Sequence, residues 1–269
     1  MSEAADPSAA ESNNPINFRV LRCEGWITPD LNYQRTGLVF SFPKGMGQVP
    51  VSLHDRINAT QKRNLPDLNL RLDMARALSR SVANLIAIKW LHRAFRSSNV
   101  LLFDPQAYKE LYVVGHSYTR PNSGVGELST LLDTDPNMLY RPPRDMTGWW
   151  DIRGAPPTTG TEGATGNASN RAYRIDAGFD IFALGIVLLE LGYWRTVKSL
   201  EQEYKKKNSG REFNQAALLR HADALGFKTG TKYRDVVRKC LKLDFWLLGK
   251  VDEEQFMAQV LQDLNACRV

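Results

Sequence analysis

Residues 92–103 of this 269-residue chain read His92-Arg93-Ala94-Phe95-Arg96-Ser97-Ser98-Asn99-Val100-Leu101-Leu102-Phe103. The spacing resembles that of a loop that transfers phosphoryl groups, with the proton-accepting residue of such a loop replaced. In such a loop a carboxylate two residues after a histidine accepts the proton of the attacking hydroxyl. An asparagine five residues further on holds a magnesium ion beside the phosphates. Ala94 occupies the first of these positions and Asn99 the second. An alanine methyl accepts no proton. Arg96 keeps a positive charge where such loops usually carry a lysine.

The elements that would position this loop follow from hydrophobic spacing. Ahead of it, Leu70 to Leu91 places Leu72, Ala75, Leu78, Val82, Leu85 and Ile86 at three- and four-residue intervals, which predicts an amphipathic helix. After it, Val100 to Phe103 and Glu110 to Val114 flank a turn at Asp104-Pro105 and predict the two strands of a hairpin. Further on, Asp176 to Leu191 is an apolar run interrupted by Gly185. It is shorter than the roughly twenty apolar residues that cross a bilayer, so it reads as a core helix. Tyr233, Val236, Val237, Cys240 and Leu241 share one face of a later helix, and Phe256, Met257, Val260, Leu261 and Leu264 share a face of the next.

In their order these features resemble the C-terminal lobe of a protein kinase. Gly115-His116-Ser117 stands in the place of the family's Asp-Phe-Gly motif, and Gly115 brings no carboxylate for a metal. Leu139-Tyr140-Arg141-Pro142-Pro143-Arg144 resembles the end of an activation segment, with Arg144 where a glutamate is usual. The run Asp180-Ile181-Phe182-Ala183-Leu184-Gly185-Ile186-Val187-Leu188-Leu189-Glu190 is similar to the lobe's buried central helix. The resemblance implies that Asp180 anchors the backbone of His92 and Arg93 and acts structurally. Tyr233 to Leu241 resembles a late helix ending in Cys-Leu. The arginine that usually follows, to pair with the activation-segment glutamate, has no clear counterpart among residues 244–251.

The part before Leu70 is short for a whole kinase N-terminal lobe. Phe18 to Trp26 and Thr36 to Phe42 predict two β-rich segments. Gly37 to Pro43 resembles the last strand of that lobe running into the hinge, and Val51 to Ile57 the short helix after it. No Gly-x-Gly-x-x-Gly run and no Val-Ala-x-Lys strand precede them, so a phosphate-covering lid and a phosphate-binding lysine are lacking. Gly45-Met46-Gly47 reads as a turn. The wording is closest to a group of fungal kinase-like proteins in which such a lobe follows a helical HeLo or prion-inhibition domain. Trp90 to Phe103, and Tyr112 to Pro121, follow that version better than the active-kinase version, although His116 stands where the group usually has Phe. The chain is expected to be either a free-standing lobe or an incomplete copy of a longer protein.

With 43% hydrophobic residues the chain can bury one sizeable core. The expected organisation is a disordered segment over 1–15, remnant strands and hinge over 16–50, and a helical lobe over 51–269 with a flexible insertion at about 151–170. The insertion is rich in Gly, Thr, Ala and Asn, and such composition buries too little apolar surface to order itself. Just before it, Trp149-Trp150 reads as one core contact and one partly exposed ring, or as a partner contact beside a flexible loop. The opening residues lack the basic start and apolar centre of a signal peptide. Cys23, Cys240 and Cys267 match no metal-ligand spacing and are odd in number, so a reducing, cytoplasmic setting is expected. The formal charge of +6 raises a nucleic-acid or anionic-surface partner. However, its densest run, Lys205-Lys206-Lys207, lies beside Glu201 and Glu203 and reads as a solvated loop or helix end.

The fold class expected is α+β: a kinase-like, mostly helical C-terminal lobe with a truncated N-terminal lobe of a few antiparallel strands. The function expected is a catalytically inactive, kinase-like interaction or regulatory module in fungal signalling or incompatibility. No catalytic residue, cofactor or metal is expected. Protein partners are expected, with no membrane span. One alternative is a serine/threonine kinase fragment or truncated gene product, which would need a substitute acid such as Asp104 or Asp180, and Asp104 is more simply a turn residue. The other is a basic binder of nucleic acid or anionic surfaces. His54, His92, His116 and His221 fall in separate segments, and His116 reads as a satisfied core or loop histidine.

Overall fold

The computed structural model describes residues 18–30, 35–46, 49–60, 65–104, 108, 110–116, 119–122, 128–129, 138–142, 173–174, 177–242 and 252–268. The opening segment 1–15, Ser117, Arg144, Trp149, Trp150, the insertion at 151–170 and residues 244–251 lie outside the described residues.

Strands β1 (Cys23–Asp30) and β2 (Arg35–Phe40) form an antiparallel pair. Strand β3 (Val51–Ser52) runs into helix α1 (Leu53–Ala59), whose first turn is capped by the Ser52 hydroxyl accepting from the Asp55 N–H. Helix α2 (Leu68–Ala87) leads to β4 (Trp90–Leu91), and β5 (Val100–Leu102) and β6 (Leu111–Val113) follow. The three strands pair antiparallel in the order β3-β5-β6. Two further antiparallel pairs are β4 with β7 (Arg120–Pro121), and β8 (Leu128–Ser129) with β9 (Tyr173–Arg174). Helices α3 (Ala177–Tyr193), α4 (Val197–Lys207), α5 (Gln215–Ala224), α6 (Gly226–Thr229), α7 (Thr231–Lys242) and α8 (Glu253–Asn265) complete the chain. The protein is therefore a mixed α+β structure with small antiparallel sheets.

Helix α3 is the axis of the core. Sixteen of its 17 residues are buried, so it has no solvent face to pattern, in keeping with an apolar run rather than an amphipathic one. Helices α2 and α7 pack on it, α8 packs on α2, and α5 packs on α7. On α2 the predicted stripe of Leu72, Ala75, Leu78, Val82, Leu85 and Ile86 is buried. On α7 all five predicted residues are buried. On α8, Met257, Val260 and Leu264 are buried, whereas Phe256 and Leu261 are half-buried. Gly185 lets α7 approach: a methyl there would lie 2.8 Å from the Cys240 Cβ.

Three boundaries differ from expectation. The helix expected through Leu91 ends at Ala87, because Lys89 turns the chain with φ of 58° and Trp90–Leu91 pairs with β7 instead. The first strand begins at Cys23 rather than Phe18, because the Phe18 and Arg19 carbonyls are taken by the Ser81 hydroxyl and the Val113 N–H, each at 2.6 Å. The helix expected from Val51 starts at Leu53, since Ser52 is its cap.

The β1-β2 pair is the least covered part of the described structure. Trp26, Ile27, Leu38 and Phe42 are all more than half exposed. Among the described residues no single helix is long and apolar enough to cross a membrane.

The tight α3-α7 contact predicts that Gly185→Ala destabilises the fold by about 1–3 kcal/mol, because the added methyl meets a Cβ that cannot rotate away. Urea denaturation of the variant beside the wild type measures it, and an unchanged midpoint would contradict the packing.

Candidate functional site

The 92–99 loop is held from beneath by Asp180, in the first turn of α3 and 3% exposed. One carboxylate oxygen accepts from the His92 N–H at 2.6 Å and the other from the Arg93 N–H at 2.8 Å. The arrangement suits a buried carboxylate, which needs hydrogen-bond donors and is favoured at the positive end of a helix. Arg93 turns there with φ of 64°.

His92 is fully buried. Its Nδ1 accepts from the Ala94 N–H at 3.3 Å, which leaves the ring proton on Nε2. Nε2 makes no hydrogen bond of normal geometry. The ring lies 4.7 Å from the His116 ring, centroid to centroid, and edge-on to Phe95. Burial first, and the neighbouring His116 second, push the His92 pKa down to about 3, although the Val114 carbonyl works the other way. Burial also lowers the His116 pKa, opposed by the Val113 carbonyl. That carbonyl lies 3.1 Å from His116 Nε2, and the Thr119 hydroxyl lies 3.2 Å from Nδ1. The two rings are a neutral, packed pair.

Asn99 closes the other end. Its Nδ2 donates to the Ala94 carbonyl at 2.8 Å, and its own carbonyl accepts from the Val114 N–H at 2.8 Å. The amide therefore lies over Gly115. A Cβ at 115 would stand 2.4 Å from Asn99 Nδ2, and Gly115 has φ of 88°, where side chains are strained. With Asn99 in this position there is no room at 115 for a carboxylate. Arg96 Nε is buried with no hydrogen-bond partner.

Of the residues singled out from sequence, the structure brings together His92, Arg93, Ala94, Asn99, Gly115, His116 and Asp180, while Ser117 is not among the described residues. Asp104 is half-buried and its carbonyl accepts from the Tyr108 N–H, a turn contact. Lys205 and Lys207 end α4 and pair with Glu201 and Glu203. The family resemblance would imply magnesium and a nucleoside triphosphate. The residues present do not fit them: neither Ala94 nor Gly115 offers an oxygen ligand from its side chain, and among the described residues no group of three or more His, Cys, Asp or Glu could hold a metal ion.

A second polar cluster was not singled out from the sequence. Glu190, with no exposed surface, accepts at Oε1 from the Tyr140 hydroxyl and from the Val197 N–H, both at 2.8 Å. The Tyr140 oxygen lies 2.8 Å from the Ser97 hydroxyl. Glu190 thus ties the 92–99 loop, the 138–142 segment and the start of α4 to the end of α3. Its one signal in sequence was a charged residue inside an apolar run.

No family model matches this chain, and no curated protein matches it.

Two expectations follow. Asp180→Ala should cost about 3–5 kcal/mol, since it leaves two buried N–H groups without acceptors. Asn99→Ala should cost nearer to 1 kcal/mol for its one side-chain bond. Chemical denaturation separates them, and equal small losses would mean that the loop is not hung on Asp180. The second expectation concerns acid. A histidine whose folded pKa lies below its unfolded value of about 6.5 contributes stability that is lost as pH falls from about 6.5 towards 3, at up to ~1.4 kcal/mol per pH unit. His92→Asn offers an oxygen near Nδ1 and should flatten that acid limb. An unchanged limb would show that His92 is not the group responsible.

Proposed function

We propose that this chain is a kinase-like protein without catalytic activity that works as an interaction or regulatory module. The observation that carries this reading is the Asn99-Gly115 contact. The loop has the backbone support of a phosphoryl-transfer loop, while Asn99 is engaged with Ala94 and fills the space a metal-holding carboxylate at 115 would need. Losing the base and that carboxylate removes proton acceptance and metal binding, which positioning alone does not replace. The resemblance to fungal kinase-like proteins associated with HeLo or prion-inhibition domains is what supports signalling or incompatibility, in the cytoplasm, as the setting of this reading.

A protein is the partner that the surface favours. Trp26, Leu38 and Phe42 are 67%, 57% and 51% exposed on the β1-β2 pair and its continuation, and exposed aromatic and aliphatic side chains of this kind mark contact surfaces. Nucleic acid is disfavoured, because two of the three lysines at the end of α4, Lys205 and Lys207, are matched by glutamates on the same helix.

Melting the protein with millimolar magnesium-ATP tests the reading. No shift is expected, whereas a ligand present at a hundred times its dissociation constant would stabilise by about 2.7 kcal/mol. A magnesium-dependent rise in Tm would overturn it. Ala94→Asp should likewise stay at background in a radiolabelled phosphate-transfer assay, since a restored base is worth only about 10²–10⁴ in rate and the metal site is still missing. Transfer by that variant, abolished by adding Asn99→Ala, would show a working nucleotide site.

A further inference from the structure

Glu190 is an acid buried deeper than its hydrogen bonds justify. Oε1 takes two donors, the Tyr140 hydroxyl and the Val197 N–H, and the Ser97 hydroxyl lies close enough to favour the ionised form, whereas Oε2 is buried with no hydrogen bond of normal geometry. An ionised carboxylate with one bare oxygen away from water is costly, and a proton on Oε2 removes the charge. What is tied to Glu190 belongs to separate parts of the chain: Tyr140 in the 138–142 segment, Ser97 in the 92–99 loop through Tyr140, and the first turn of α4. We propose that Glu190 is a proton-operated clamp: neutral, it stays dry with the 138–142 segment closed on α3, and ionised, its uncovered Oε2 draws in water and opens that segment, although the Tyr140 bond taken alone is stronger to the anion.

On α1, His54 favours the ionised form when it is protonated. Arg141, on the 138–142 segment itself, is engaged in an interaction of its own. The loop's Arg96 bears on His92, and its Nε has no partner. Beyond the end of α3, Arg195 is bound by Glu203 and Ser199, and Lys198 on α4 is bound by Glu201. Trp194, buried in the same turn, brings an Nε1 without a partner and no charge. Tyr140 is held neutral, its pKa raised well above the usual value by burial and then by Glu190. Burial pushes the Glu190 pKa up to about 7, against the Val197 N–H, Ser97 and Tyr140, which lower it.

The sign follows from proton counting. Between the unfolded value of 4.5 and about 7 the folded protein holds a proton that the unfolded chain has released, so stability falls as pH rises through that window and is level above it. The folding equilibrium constant should drop on the order of a hundredfold across the window from this group alone.

The test compares the full chain with Glu190→Gln, which keeps an acceptor for Tyr140 and Val197 and cannot ionise. Denaturation midpoints from pH 5 to 8.5 and hydrogen exchange of the 138–141 amides are measured together. The wild type should lose protection at 138–141 as pH rises through neutrality, and the glutamine variant should stay protected and be the more stable of the two at pH 8. The same pH dependence in both, or exchange at 138–141 that ignores pH, would overturn the clamp. Should the variant fail to fold, the infrared band of a protonated carboxyl in the wild type decides. A band that titrates near neutrality supports the clamp, and its absence at pH 5.5 to 6 overturns it.

Discussion

A single buried carboxylate sets the geometry of the 92–99 loop. Asp180 sits where α3 begins, and the partial positive charge of that helix end offsets the cost of burying it. Its two oxygens are matched to two consecutive backbone N–H groups, which fixes the plane of the chain at His92 and Arg93 and turns it through the positive φ of Arg93. The direction of the loop after that turn is no longer a matter of its own side chains. It carries the Ala94 carbonyl to Asn99, and the Asn99 carbonyl to Val114 at the end of β6. The loop, the β5-β6 hairpin and the core helix are thereby one connected framework.

Within that framework Ala94 brings a methyl and Gly115 no side chain, and the Asn99 amide closes over Gly115. Gly115 is explained by its own surroundings: a positive φ together with the Asn99 amide pressed over its α-carbon favours glycine there. His92 and His116, packed ring against tilted ring, fill the space behind the loop, and burial favours the neutral form of both.

What could be read from the sequence follows the physical origin of each feature. Helices α2, α7 and α8 bury one stripe each, so their periodicity was visible, and α3 buries every face, so it appeared as an apolar run. The role of Asp180 was legible only through a resemblance, because nothing in local spacing says that a carboxylate will accept hydrogen bonds from residues 87 and 88 positions away. The Glu190-Tyr140-Ser97 chain was not legible. Its partners lie 50 and 43 residues apart in sequence, and a lone acid inside an apolar helix carries no periodic mark. The true end of α2 was hidden for a related reason: Ile88, Trp90 and Leu91 extend the apolar pattern, although the backbone has already turned at Lys89.

Two buried titratable groups act on this framework in opposite directions. His92 must stay neutral, and the fold loses its contribution as acid charges the unfolded chain below about 6.5. Glu190 favours its proton, and the fold loses that contribution as pH rises from 4.5 to about 7. Between about 4.5 and 6.5 the two slopes oppose each other, so each contribution is read from the difference between the wild type and the variant that lacks the group. His92 reports on the end of the loop fastened to Asp180, and Glu190 on the end fastened to Tyr140, so the two halves of one loop respond to pH in opposite senses.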